Sequence, residues 1–290
     1  MRKTIGCLQL CSLVLACMGS VGAQEKREMS PPKVLTITRE WVKPGKSGPP
    51  HVKTESAFVS AMAAAKWPQH YFAMDSLTGP PRSLFFEGYD SFEAWEKDNQ
   101  ATEKNASLSA ALSKAGVADG ELLTGIETTA FAYREDLSYQ ANIDVAKMRY
   151  FDISRYKVRT GHGKDWEAIV KMFKDGYAKA VPDAHWAVFE DIYGKEGAGI
   201  FIVITPMKSL AEVDKGFGDS KKFTETMGDD GMKKLDEMMA ASTEFLEANL
   251  FSFNPAESYA PPEWVKSDPD FWKSKAPAAT EKKPAKKPTP

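Results

Sequence analysis

One strand–turn–helix stretch occurs twice in this chain, so the fold must house both copies. Met148–Phe173 reads MRYFDISRYKVRTGHGKDWEAIVKMF, and Val34–Met62, VLTITREWVKPGKSGPPHVKTESAFVSAM, is a degenerate copy. Ile37, Arg39, Val42 and Gly45 match Ile153, Arg155, Val158 and Gly161 at a constant shift of 116. After a longer loop in the first copy, His51, Lys53, Ala57 and Val59 match His162, Lys164, Ala168 and Val170 at a shift of 111. Later anchors keep the same order. HYFAMD (His70–Asp75) meets HWAVFE (His185–Glu190), YDSFEAW meets MKSLAEV, and FAYREDLSY meets FSFNPAESY. A repeat of this kind constrains architecture before any single motif does.

Hydrophobic periodicity gives each copy the same elements. Val34–Val42 alternates, with Leu35, Ile37, Arg39 and Trp41 on one face and Thr36, Thr38 and Glu40 on the other, which predicts a strand. Pro44-Gly45 and Gly48-Pro49-Pro50 end it. A helix through Phe58, Ala61, Met62 and Ala65 stops at Pro68. Strands follow at Tyr71–Asp75 and Ser83–Glu87, then a helix capped by Ser91, a helical piece ending at Gly116, and a strand at Thr128–Tyr133. The second half repeats this order. It has a strand at Tyr150–Val158, a helix face of Trp166, Ile169, Val170, Phe173 and Tyr177, and strands at Trp186–Glu190 and Ile200–Thr205. A long helix through Met232–Leu246 and a closing strand at Leu250–Phe253 complete it.

Each half is therefore a β-α-β-β-α-β ferredoxin-like unit. Helices cover one face of such a sheet and leave the other to be buried elsewhere. The expected fold class is α+β, with two tandem ferredoxin-like repeats burying their open faces on each other as a pseudo-dimeric α/β barrel. The expected boundaries are 33–140 for repeat 1 and 141–260 for repeat 2. A loose polar stretch (24–32) precedes them, and an extended aromatic arm (261–275) and a Pro/Ala/Lys tail (276–290) follow.

The chain opens with Arg2 and Lys3, an apolar run from Ile5 to Met18, and Val21-Gly22-Ala23. That pattern predicts a signal peptide over 1–23, cleavage before Gln24, and a secreted or periplasmic protein. The alternative is a lipoprotein anchored at Cys17, after Val14-Leu15-Ala16. All three cysteines (Cys7, Cys11, Cys17) fall in this segment, so the remaining chain has no disulfide and no thiolate metal site. Without Arg2 and Lys3 there are 36 basic residues against 40 acidic, a balance that suggests no nucleic-acid surface, and no nucleic-acid partner is expected. No later stretch is apolar enough for a transmembrane segment. Lys282, Lys283, Lys286 and Lys287 give the tail a weak attraction to anionic envelope polymers.

VLTITREWVKPGK and ISRYKVRTGHGKDWEAIVK resemble the first strand and helix of the dimeric α/β-barrel superfamily. That group includes antibiotic-biosynthesis-type monooxygenases, NIPSNAP-type and EthD-like proteins. The resemblance covers roughly Lys33 to Ala260. It implies a barrel made from two sheets, usually contributed by two subunits and here by one chain. Members range from cofactor-free oxygenases through haem-degrading enzymes to proteins with no known activity, so the fold does not choose the chemistry. Haem-degrading relatives hold iron through a histidine on a helix. No histidine reads as mid-helix here, and no cofactor is expected.

The four histidines form two matched pairs: His51 with His162, each in the loop entering a first helix, and His70 with His185, each beginning a second strand. An imidazole can serve as base, donor or ligand near neutral pH, which makes all four catalytic candidates. A strand runs up the sheet and its helix returns, so the two sites of one half lie at opposite ends. That placement argues against a four-histidine metal site, and no metal is expected. Arg39 and Arg155 could hold an anionic ligand bidentately, or form internal salt bridges with Asp75 or Glu190. Tyr71 and Trp186 are matched aromatics that line a pocket or fill the core. No G-x-S-x-G, H-E-x-x-H or C-x-x-C is present. Two readings remain. One is an exported binder of a small organic molecule, extending to a cofactor-free oxygenase or isomerase acting on an aromatic or acidic metabolite. The other is a non-catalytic envelope interaction module.

Overall fold

The computed structural model describes residues 29–195 and 197–273. The signal peptide expected over 1–23 and the tail expected over 276–290 lie outside the described residues. The strands are β1 (Val34–Val42), β2 (Tyr71–Ser76), β3 (Arg82–Tyr89), β4 (Leu123–Tyr133), β5 (Tyr150–Val158), β6 (Ala187–Tyr193), β7 (Ile200–Met207) and β8 (Thr243–Tyr259). They close into one antiparallel barrel in the order β1-β3-β2-β8-β5-β7-β6-β4, with β4 returning to β1. Alternation decides what faces inward. Leu35, Ile37, Met74, Phe86, Phe131, Phe151, Phe189, Ile202, Phe251 and Phe253 come from all eight strands and pack as one core. That core fills the interior, and helices α1 (Pro49–Ala65), α2 (Phe92–Lys104), α3 (Ala106–Gly120), α4 (Gly163–Ala180) and α5 (Ala211–Ser242) complete the layer outside it.

The interior changes character along its axis. Two residues further up the same inward rows, Ile37 gives way to Arg39, Leu84 to Arg82 and Ile153 to Arg155. One end of the barrel is therefore apolar and the other carries guanidinium groups.

Several local expectations are corrected by tertiary pairing. Helix α1 begins at Pro49, because proline at the first helical positions loses no hydrogen bond. His51 consequently sits in the first turn of the helix and not in a loop. The helix ends at Lys66 in the left-handed region (φ 49°), ahead of Pro68. Helix α5 contains a break at Gly228 (φ 65°) and stops at Ser242. Phe245 and Leu246 then belong to β8, opposite Lys157 and Tyr156 of β5. Their spacing from Met238 and Ser242 suits a helix, but the ladder to β5 overrides it.

The aromatic arm is not extended. Pro262 and Pro269 start two short helices, α6 (Pro262–Ser267) and α7 (Pro269–Trp272). These seat Trp264 and Trp272 in the barrel core beside Phe253, at ring separations of 6.3 and 5.0 Å. From Met29 onward the amino-terminal stretch is also docked, through Met29 N–H to the Ile143 carbonyl at 3.1 Å. Trp272 is 3% exposed and donates Nε1–H to the Ala146 carbonyl at 2.9 Å. Trp272→Ala is expected to lower the unfolding free energy by about 3–5 kcal/mol in urea titrations, because it opens a cavity in the shared core. An unchanged urea midpoint would show the arm to be a surface ornament.

One irregularity positions a charged residue. Tyr71 pairs with Tyr259 while Ala73 pairs with Asn254, so residues 255–258 of β8 bulge opposite Phe72 alone. Pro255 lacks the N–H that a regular ladder would use. Across the bulge the Ser258 hydroxyl accepts the Ala73 N–H at 2.8 Å, in place of a ladder carbonyl. Glu257 lies within this bulge.

Candidate functional site

The apolar end of the barrel holds a cavity of about 920 Å³. Its floor is Leu35, Phe72, Met74, Phe86, Phe151, Phe189 and Ile204, all interior residues, with Trp264 of the arm alongside. Phe72 stacks on Phe86 at 5.4 Å and on Trp264 at 5.5 Å, giving an aromatic wall. His70 and His185, which precede β2 and β6, both line this cavity, as does Trp186. His70 Nδ1 lies 3.1 Å from the Tyr259 carbonyl, and its ring stacks on Tyr259 at 4.5 Å. His185 Nε2 lies 2.8 Å from the Pro206 carbonyl. A carbonyl can only accept, so these nitrogens carry the protons and donate. In the neutral ring, the lone pairs of His70 Nε2 and His185 Nδ1 then face away from these carbonyls. Two other polar groups of the lining are engaged internally: Asp98 accepts from Trp67 Nε1 and Tyr89 Oη, and Gln69 Nε2 donates to the Gly88 carbonyl. A second cavity, of about 650 Å³, lies between α4, α5 and the sheet and shares His185 and Trp186.

His51 is placed quite differently. It is 1% exposed, between α1 and the outer face of the barrel, among four buried carboxylates. Its Nδ1 lies 3.2 Å from Glu257, and its Nε2 lies 3.1 Å from Glu40 and 3.6 Å from Asp119. Glu55, one turn along α1, joins the group, and Thr54 donates to Asp119 at 2.6 Å. Burial alone would disfavour the imidazolium, but hydrogen bonds to Glu257 and Glu40 push His51 up to about 11. Burial, together with Glu40 and Asp119, pushes Glu55 up to about 10. Burial likewise lifts Glu257 to about 7, against the opposing pull of His51. Tyr71 lies within the field of these carboxylates, and burial raises its phenol.

The eight sequence candidates therefore divide among four places. His70, His185 and Trp186 meet at the barrel mouth, and His51 and Tyr71 lie at the carboxylate nest. Arg39 and Arg155 lie toward the opposite end of the interior. There Arg39 pairs with Glu127 at 3.0 Å, its cross-strand neighbour, and Arg155 lies over the Phe245 ring at 4.9 Å. The partners anticipated for the arginines are used elsewhere: Asp75 accepts from Ser83 and Asn254, and Glu190 pairs with Arg134. His162 is on the surface, paired with Asp165 at 2.8 Å.

Sequence reasoning missed Glu40, Glu55, Asp119 and Glu257. His51 and Glu55 are four apart and share a helix face, a signal that was present. Glu40 lies on the strand face opposite Arg39, where helices pack. Nothing local could bring in Glu257, 206 residues from His51.

No family model and no curated protein sequence matches the chain. Among solved structures 54 chains match. One is an anthrone oxidase-like protein, 14% identical, with 77% of this chain and 92% of the other covered and a TM-score of 0.49. Another is chlorite dismutase from Candidatus Nitrospira defluvii in complex with imidazole, 10% identical, covering 82% and 96%, with a TM-score of 0.46. The barrel assignment stands on the strand pairing described above.

Proposed function

We propose that this chain is an exported small-molecule-binding α/β barrel, built by duplication of a ferredoxin-like unit, that takes a planar apolar molecule at its mouth. The observation that carries this reading is the pair of histidines on one cavity. A volume of about 920 Å³ falls in the range of roughly 300–1,000 Å³ typical of ligand pockets. An aromatic wall favours a flat ring system. Each imidazole is oriented by a main-chain carbonyl, which fixes the tautomer of the neutral ring and leaves its second nitrogen as the acceptor. Such a nitrogen can accept a hydrogen bond from a phenol, or remove a proton from an acidic C–H or O–H. Proton abstraction of this kind opens a cofactor-free oxygenation or isomerisation, the catalytic extension of this reading.

Duplication is supported by strand order and length. The order β4-β1-β3-β2 recurs as β8-β5-β7-β6. Strands β1 and β5 are each nine residues long and are offset at both ends by the sequence shift of 116. Export rests on the charged, apolar and small-residue pattern of the first 23 residues.

The test uses 1-anilinonaphthalene-8-sulfonate as an aromatic probe. One equivalent is expected to bind per chain, with enhanced emission. Ala187 lines the cavity without filling it, so Ala187→Trp should occupy the space and weaken binding by about tenfold or more, the worth of roughly 1.4 kcal/mol. A variant that melts like the parent and still binds the probe equally would place the ligand elsewhere.

A further inference from the structure

We propose that Glu40, His51, Glu55 and Asp119 form a buried site for a divalent first-row transition cation, with Glu257 orienting the histidine from behind. One donor atom from each of the four ligands lies within 4.8 Å of the others. Bonds of about 2.0–2.2 Å put tetrahedral ligand atoms roughly 3.3–3.6 Å apart and trans ones roughly 4.4 Å apart, so side-chain adjustments of about an ångström close the set around one ion. His51 Nε2 faces Glu40 and Asp119, while Nδ1 faces Glu257 at 3.2 Å. With Nε2 on the ion, Nδ1–H donates to Glu257. That is the carboxylate–histidine–metal arrangement that fixes ring orientation and raises ligand basicity.

Two further observations separate this cluster from an ordinary internal salt bridge. Glu55 is 3% exposed and Glu257 1%, yet Glu55 Oε1 and Glu257 Oε2 have no hydrogen-bond partner among the described residues. A buried carboxylate oxygen left without a partner is costly, and an ion in the set supplies the missing partner of Glu55, the ligand among the two. The fold itself does not require charge here. In the other half, the seventh residue of β5 is Tyr156 where β1 has Glu40. On α4, Trp166 stands at the position that the shift of 111 matches to Glu55, and the two rings pack at 4.5 Å. That half is closed by an aromatic pair, and its histidine, His162, is on the surface.

The donor set chooses the ion. One imidazole with three carboxylates suits Mn²⁺, Fe²⁺ or Zn²⁺ better than Ca²⁺ or Mg²⁺, which take oxygen ligands and, for Mg²⁺, keep several waters. Ligands bind deprotonated, so the Nε2 proton of His51 and the proton on the Glu55 carboxyl both leave as the ion enters.

The experiment uses the full chain, unfolded with a chelator, refolded with Mn²⁺ alone and dialysed. One Mn²⁺ per chain is expected, with nitrogen coupling from His51 in pulsed electron paramagnetic resonance. Glu257→Gln should weaken binding by roughly 10–100-fold, as loss of an outer partner does. Glu55→Gln should weaken it further, while its metal-free form melts no lower than the parent, which shows that the variant is folded. Retention of no Mn²⁺ by the parent, or equal retention by Glu55→Gln, would overturn the site.

Discussion

His51→Ala is expected to destabilise the metal-free protein by about 3–5 kcal/mol, the usual cost of removing one partner from a buried charge network. His51 is the cation at the centre of Glu40, Asp119 and Glu257, and alanine leaves these carboxylates in low dielectric without it. Glu55→Gln should act in the opposite direction, because it removes a carboxyl group that folding must hold protonated against burial and its neighbours. The pair of variants separates loss of charge balance from loss of packing, since glutamine is nearly isosteric with glutamate.

The same cluster fixes the sign of a pH dependence. His51 is held at about 11, so its stabilisation is complete below its unfolded value, near 6.5, and is lost as pH rises through the folded value. Glu55 and Glu257 are raised to about 10 and about 7, so the folded chain also keeps protons there that the unfolded chain releases near pH 4.3. All three contributions have one sign, and stability falls as pH rises from about 5 toward 9. Urea titrations in a chelator across that window should show the decline, and Glu55→Gln should flatten it. A pH-independent parent, or a His51→Ala variant as stable as the parent, would refute this account.

Dividing the chain produces the second large effect. Residues 29–140 and 141–273, expressed separately, are expected to aggregate or to pair with each other and not to fold as monomers. The barrel closes only through the seams β2–β8 and β4–β6, each of which joins one half to the other. Phe131, Phe251 and Phe253 are buried in the core common to both halves. Burying one such side chain stabilises by roughly 2–3 kcal/mol. Exposing several consumes a typical folding margin of about 5–15 kcal/mol. Glu257 also crosses from β8 to reach His51 on α1, so the first half alone lacks part of its charge network. Co-expression should recover one complex with the melting behaviour of the intact chain. Two soluble monomers that each melt as the whole protein does would contradict the shared core.

Much of this architecture is local information. The alternation over Val34–Val42 and Tyr150–Val158 gives both central strands with their observed ends, because a half-buried strand must obey period two. The aromatic anchors Phe131, Phe251 and Phe253 announce a core that neither half can bury alone. The matched pair His70 and His185 also reaches one cavity, since equivalent strand starts in two joined halves face the same barrel mouth. Tertiary structure decided the rest. Where α5 yields to β8 depends on the partner strand β5, and not on the residues from Ser242 to Leu246. The arm folds into two short helices where the barrel mouth offers Phe72 and Phe253 to its tryptophans. Two histidines equal in sequence, His51 and His162, end with opposite fates, one sealed among carboxylates and one on the surface. The difference lies in residues remote in sequence, Asp119 on α3 and Glu257 in the bulge of β8, which no local pattern could bring to an imidazole on α1.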